Sequence, residues 1–236
     1  MVYNPMQLPS SAELPDSDDT PVDNELQNLV PNLLLAILAL VWGDRQDWFF
    51  GVDMAIYHMT GQNPRTPIVP DGFLSLGVAR RKREQGRSSY VTWEENDVVP
   101  SLVLEVVSQT YGQEYGEKQE KYARLGVLYY VVYNPDFWLR DKHEPLEVYR
   151  LIEGKYVRQP DEPVWMPEIE LGIGRAQGTY EGWTREWLYW YDHSGNRFPS
   201  TAEIAQQERQ RAEQAQQQLD SLIAKLRERG IDPNGL

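Results

Sequence analysis

The stretch that most restricts how this 236-residue chain can fold is "LVLEVV", Leu102 to Val107, where a single carboxylate breaks an aliphatic run. Continuous runs of this kind are typical of an interior strand covered on both faces. An ionised carboxylate buried there without a partner costs several kcal/mol, so Glu105 has to be neutral, be paired or hold a cation.

The flanking sequence supplies the rest of the sheet. Residues 1–23 are rich in Pro, Ser and Asp and read as a poorly ordered acidic lead-in. From Asn24 the spacing of Leu26, Leu29, Val30, Leu33, Leu34, Ile37 and Leu40 predicts a helix, with Pro31 marking a kink or a short entry helix. "DWFFGVDMAIYHM" and "TPIVPDGFLSLGVA" read as strands, followed by the strand of Glu105. "YGQEYGEKQEKYARLG" predicts a helix from near Gln113 that ends at Gly126. "VLYYVVYNP" is a further strand, "LEVYRLIEGKYVRQ" two strands around a Glu-Gly turn, and "PEIELGIG", "GTYEGW" and "WLYWYD" add more β structure. The order helix, three strands, helix, strand predicts an α/β fold with a mixed β-sheet, assigned here to residues 24–199.

Residues 200–236 differ in character. They predict a long polar helix whose best heptad seam is Ala205, Glu208, Ala212, Ala215, Leu219, Leu222 and Leu226. Only the last part of that seam is strongly apolar, which suits a short coiled coil or a helix lying on the body, with a homodimer as the favoured assembly.

Composition removes several function classes. Without cysteine there are no disulfides, thiolate zinc sites or cysteine nucleophiles, and His58, His143 and His193 have no metal-ligand spacing. No secretory signal is visible, and the longest apolar run, Leu33 to Trp42, is about half of what a bilayer requires. A soluble, cytoplasmic protein with no membrane partner is therefore expected. A net charge of −13 argues against a general nucleic-acid coat, although residues 1–25 carry six of the acids and no Lys or Arg. One dense basic cluster contains Arg80, Arg81, Lys82 and Arg83, and reads either as a solvated loop tip or as a loop that contacts phosphates.

The candidate chemistry lies in acids and a lysine. Asp71 precedes a resuming aliphatic strand in "PIVPDGFLSL", and Glu105 lies inside one. On the following helix Glu114, Lys118 and Tyr122 recur at steps of four and share a face that can pack back over the sheet. Two carboxylates and an ammonium suit a hard divalent cation with an activated water. Each residue also has a plainer reading: "PDG" as a turn, Glu105 in a buried salt bridge, and Lys118 in an i to i+4 pair with Glu114.

"VPD", "PSLVLEVVS" and "EKQEKYARLGVLYYVVYNP", with "GTYEGW", "WLYWYD" and the polar C-terminal helix ending in "LRERGIDP", resemble a large bacterial family of restriction-endonuclease-like proteins, formerly a domain of unknown function, in the PD-(D/E)xK nuclease superfamily. The resemblance runs from about Leu14 onward. It implies a restriction-endonuclease-like core with added strands, and a DNA endonuclease that uses Mg²⁺, with Mn²⁺ as a substitute. Asp71 and Glu105 would be metal ligands with the Val106 carbonyl as a third, and Lys118 would be the catalytic lysine. Here the chain departs from the superfamily pattern, because the position two after Glu105 is Val107 rather than lysine. Glu114 stands where relatives often show Asp, and Glu25 on the first helix is a further second-tier acid. The competing reading is a non-catalytic protein that keeps the nuclease fold and binds DNA or a protein partner. A glycosidase using Asp71 and Glu105 would leave Lys118 unexplained.

Overall fold

The structure is a computed structural model that describes residues 8–15, 24–60, 63, 65–82, 84–109 and 113–229. Residues up to Phe198 form one compact unit and those from Pro199 a second. Arg83, most of the 1–23 lead-in and residues 230–236 lie outside the described residues.

In the first unit, helix α1 (Glu25–Val41) opens at Asn24, whose side chain accepts hydrogen bonds from the N–H groups of Leu26 and Gln27. Pro31 lies inside α1 and does not divide it into two helices. The buried stripe is Leu26, Val30, Leu33, Leu34, Ile37 and Leu38. Part of it advances in steps of four, so it drifts round the helix and leaves Leu40 half exposed where the simple periodicity places it inside.

Six strands form the main sheet: β1 (Trp48–Val52), β3 (Gly72–Leu76), β5 (Leu102–Val106), β6 (Tyr129–Tyr133), β7 (Leu146–Ile152) and β8 (Lys155–Arg158), neighbours in that order. β5 and β6 run parallel, and every other adjacent pair is antiparallel. A parallel pair needs a crossover, and α2 (Glu117–Leu125) provides it. Gly126, at φ 90, ends α2 in the left-handed region that a side chain would strain. A three-stranded sheet, β9 (Val164–Met166), β10 (Leu171–Tyr180) and β11 (Trp183–Tyr191), is separate from it. Two short strands, β2 (Ile56–Tyr57) and β4 (Tyr90–Val91), pair in parallel, and α3 (Trp138–Asp141) is a single turn.

The side chains of β5 alternate between two apolar clusters. Leu102, Leu104 and Val106 pack with α1 and with Trp187 and Trp190 of β11. Val103 and Val107 pack with Tyr122 and Leu125 of α2. Both faces of the strand are therefore covered, and alternation sends Glu105 to the α2 side. The indole of Trp190 donates to the Leu34 carbonyl at 3.0 Å, which ties β11 to α1.

The acidic lead-in is not wholly loose. Leu14 packs with Ala55, Tyr57 and Val91. The Tyr57 hydroxyl donates to the Pro15 carbonyl at 2.7 Å, and the Trp93 indole to that of Pro9 at 3.0 Å. Composition misses this because the docking uses one leucine, main-chain carbonyls and Ser11, whose N–H and hydroxyl donate to the Glu94 carboxylate. In the second unit, α4 (Thr201–Glu228) begins with a capping box between Ser200 and Glu203 and buries no side chain.

Gly72 sets the approach of α1 to the sheet. A Cβ built there would lie 3.0 Å from the Pro31 Cβ and 3.3 Å from the Phe50 ring. Gly72→Ala should therefore push α1 outward and cost about 1–3 kcal/mol, the usual scale of overpacking. Chemical denaturation of the two proteins measures the difference.

Candidate active site

Asp71 sits immediately before β3, whose ladder with β5 stops at Gly72 opposite Leu104. β5 continues two residues further, so the edge it presents beyond β3 lacks strand partners there. The Val106 N–H on that edge donates to Asp71 Oδ2 at 2.6 Å. Gln27 of α1 reaches Asp71 Oδ1 from the other side, with its Nε2 at 3.4 Å. "PDG" is thus no hairpin turn. It is the entry to a strand, with glycine chosen by the proximity of α1 and the aspartate aimed at the neighbouring strand.

Glu105 is 1% exposed, and both of its carboxylate oxygens are engaged from α2. Lys118 Nζ donates to Oε2 at 2.8 Å, and the Tyr122 hydroxyl donates to Oε1 at 2.7 Å. Lys118 and Tyr122 are one helical turn apart, which lets one helix face serve one carboxylate. Lys121 faces elsewhere and pairs with Glu117 at 2.7 Å.

Burial raises the Asp71 carboxyl well above the usual range, the charge of Glu105 adds to the rise, and the Val106 N–H and Lys118 oppose it. Burial also raises Glu105, against the lowering effects of Lys118 and Tyr122. For Lys118, burial acts downward but is outweighed by Glu105, Asp71 and Glu114, so the ammonium is favoured. Two acids that burial pushes upward, Asp71 further so by the charge of Glu105, beside a retained ammonium form a nest short of positive charge.

That donor set fits Mg²⁺ in kind. Hard oxygen ligands are required, and this ion is commonly held by one or two carboxylates while keeping several waters. Asp71 and Glu105 would be the two carboxylates, and the Val106 carbonyl, of the residue whose N–H binds Asp71, would be the third oxygen. Among the described residues no group of three or more His, Cys, Asp or Glu side chains converges as a metal cage.

The second-tier acids divide. Glu114 is not on α2, which begins at Glu117 rather than near Gln113, because residues 113–116 form a turn. It is nevertheless buried, with Oε1 3.9 Å from Lys118 Nζ and Oε2 without a hydrogen-bond partner among the described residues. Glu25 is exposed, and the α1 side chain at the site is Gln27. Gln27 carried no sequence signal, since neither its type nor its spacing marks it. Asp53 was equally silent. It follows β1 with φ 45, its N–H donates to the Asp71 carbonyl at 3.1 Å, and its charge helps to raise Asp71.

The basic cluster is not brought to the site. Trp48 pairs with Leu76 at one end of the β1–β3 ladder and Val52 with Gly72 at the other. Arg80 stacks over Trp48 at 3.9 Å and its N–H donates to the Gln46 carbonyl, which places it at the end far from Asp71. Lys82 is engaged by Glu95 at 2.8 Å, and Arg87 by the same carboxylate at 2.9 Å. Arg81 is exposed, and Arg83 lies outside the described residues. No described helix is long and apolar enough to cross a membrane.

Comparison with known proteins gives one family and one solved structure. The profile of the Uma2 family, described as putative restriction endonuclease, matches residues 19–179, more than half of the chain. A crystal structure of a putative nuclease belonging to DUF820 from Anabaena variabilis superposes with a TM-score of 0.42 at 12% identity, covering 62% of this chain and 74% of that one. No curated protein matches.

The raised Asp71 makes a test of the nest. A carboxyl whose folded-state pKa is raised costs nothing while both states are protonated. As pH climbs through the ordinary carboxylate range the unfolded chain ionises first, and stability falls until the folded pKa is passed. Asp71→Asn keeps an oxygen for the Val106 N–H and removes that fall. With chelator present, the variant should melt above the parent at neutral pH and level with it at acidic pH, as scanning calorimetry would show.

Proposed function

The chain belongs to the Uma2 family of putative restriction endonucleases, and we propose that it is an Mg²⁺-dependent DNA endonuclease with Asp71, Glu105 and Lys118 as its catalytic residues. The observation that carries this reading is the 2.8 Å contact of Lys118 with Glu105, beside an Asp71 whose carboxyl is bound to the very next backbone N–H. The superfamily's lysine is absent from β5, and α2 delivers an ammonium to the same carboxylate from the helix above. Mn²⁺ would substitute for Mg²⁺.

When bound, the metal would supply Lewis acidity to the scissile phosphate and a more acidic water. Asp71 and Glu105 would hold it from two strands, with the Val106 carbonyl beside them. Lys118 would orient the attacking water and offset charge on the phosphoryl oxygens. Tyr122 fixes the rotamer of Glu105, because its hydroxyl donates to the oxygen that Lys118 does not use. Gln27 and the Val106 N–H hold the Asp71 carboxylate from opposite sides. Two such sites are needed to cut both strands of a duplex, which is the reason to propose a homodimer.

Plasmid cleavage separates this enzyme from a non-catalytic protein of the same fold. Lys118→Ala should keep Mn²⁺ binding and slow cleavage by roughly a hundredfold or more, the scale of losing one oriented charge at a phosphoryl centre. Lys121→Ala should cleave as the parent does. A parent protein that binds DNA and never nicks it, with Mg²⁺ or Mn²⁺, would overturn the enzyme.

The metal assignment has its own readout. Asp71→Ala and Glu105→Ala should each abolish Mn²⁺ binding in titration calorimetry while circular dichroism shows a folded protein. Unchanged affinity in both would place the metal elsewhere.

A further inference from the structure

Helix α1 is apolar on more faces than the sheet covers. Residues 33–41, "LLLAILALV", contain no polar side chain over two and a half turns, whereas a surface helix normally keeps a polar outer face. Leu33, Leu34, Ile37 and Leu38 face the core. Leu35 and Ala36 are only half buried, Ala39 is exposed and Leu40 is 48% exposed. Leu35, Ala36 and Ala39 of this face line one wall of a groove of about 1060 Å³, and Tyr180 and Trp183 of the β10–β11 hairpin contribute aromatic rings to it.

The polar groups of the groove lie towards its ends or satisfy themselves. Asn32 Nδ2 donates to the Asn28 carbonyl at 2.8 Å and to its Oδ1 at 3.1 Å, so burying this row would leave the Asn32 amide donors engaged. Glu25 stands at the first turn of α1. Arg80 stands at the other end: it stacks over Trp48, which meets Trp42 edge-on at 5.5 Å, and Trp42 caps the C-terminus of α1. The ends of this 17-residue helix are about 25 Å apart. The remaining charged lining residue is Glu181 at the hairpin tip. Two acids against one base disfavour a nucleic-acid backbone as occupant.

An acid at one end, a base at the other and small or apolar residues between are what an isologous contact demands, since each copy presents the same strip reversed. We propose that the outer face of α1 is a two-fold interface with a second copy of this chain, the helices packing antiparallel so that Glu25 of each meets Arg80 of the other. Asn32, midway along the strip, then lies near the axis, and Ala36 and Ala39 let the helices approach closely. The inference rests on the outer face of α1 with Arg80 and is independent of the nuclease reading, which a monomer with metal-dependent cleavage would leave standing.

The charges make the test. The full-length parent should sediment as a dimer, and Glu25→Arg and Arg80→Glu should each dissociate it at least about tenfold more readily, because each opposes like charges twice. An equimolar mixture of the two variants should recover a dimer of parental stability, since both contacts are then complementary. The chain has no cysteine, so Asn32→Cys gives a single thiol that should cross-link to itself under mild oxidation. A monomeric parent would overturn the interface. So would a dimer indifferent to both charge reversals, a mixture that does not re-form it, or failure of the Asn32→Cys protein to cross-link. If α4 alone pairs the chains, the dimer will survive both reversals, and that result counts against α1.

Discussion

The contact between β5 and α2 through Glu105 holds together both the core and the site. A carboxylate at 1% exposure in an aliphatic strand is tolerable only when its charge is answered, and here an ammonium and a phenol answer one oxygen each. Both donors come from one face of one helix, so the electrostatic demand of the strand fixes the rotation of α2 over the sheet. The parallel pairing of β5 with β6 follows from the same crossover. Replacing Glu105 by an aliphatic residue would suit the strand and leave Lys118 half-buried, without its 2.8 Å partner and with only the more distant acids Asp71 and Glu114 to answer its charge. A buried ion pair of this sort is weak evidence for stability and better evidence for a use of the charges.

That use appears where the ladder is incomplete. β3 stops pairing with β5 at Leu104, and the strand edge beyond it binds a side chain instead of a backbone. Asp71 fills the gap left by the shorter strand and comes to lie against the residue after Glu105. A carboxylate just before one strand and another on its neighbour are brought together by the stagger of an antiparallel pair. The close approach of α1, permitted by Gly72 against Pro31, then brings Gln27 to the same carboxylate. Strand stagger, a missing Cβ and one helix face therefore converge on a single charged nest whose acids burial makes reluctant to ionise together.

Much of this could be read in advance. The run 102–107 announced an interior strand and posed the question of Glu105, the step of four from Lys118 to Tyr122 described the helix face that answers it, and Gly126 marked the helix end. The Glu-Gly pair at 153–154 does sit at a tight hairpin with positive φ, as its type requires, and the same pair at 181–182, read only as part of a β stretch, makes a second one. Glu114 and Glu25 show where such reading falters. Periodicity extended α2 backward over Glu114, but the chain there forms a turn, and acid type promoted Glu25 when the glutamine two residues on is the one that points inward. The basic cluster had the composition of a phosphate-binding loop, and in the structure Lys82 pairs with Glu95 while Arg80 stacks over Trp48 at the end of β1 away from Asp71.

The sequence by itself determined the elements, the strand that must be interior and the acids and lysine with no business in an apolar setting. Those properties are local: alternation, helical spacing and the cost of an unanswered charge depend on neighbours within a few residues. Only the tertiary structure decided which groups meet. Asp71 and Gln27 are 44 positions apart, as are Asp71 and Val106 by 35, and no periodicity spans such separations. Their contact is set by where one strand stops beside another and by how closely a helix can approach a glycine, and those distances exist only once the sheet has formed.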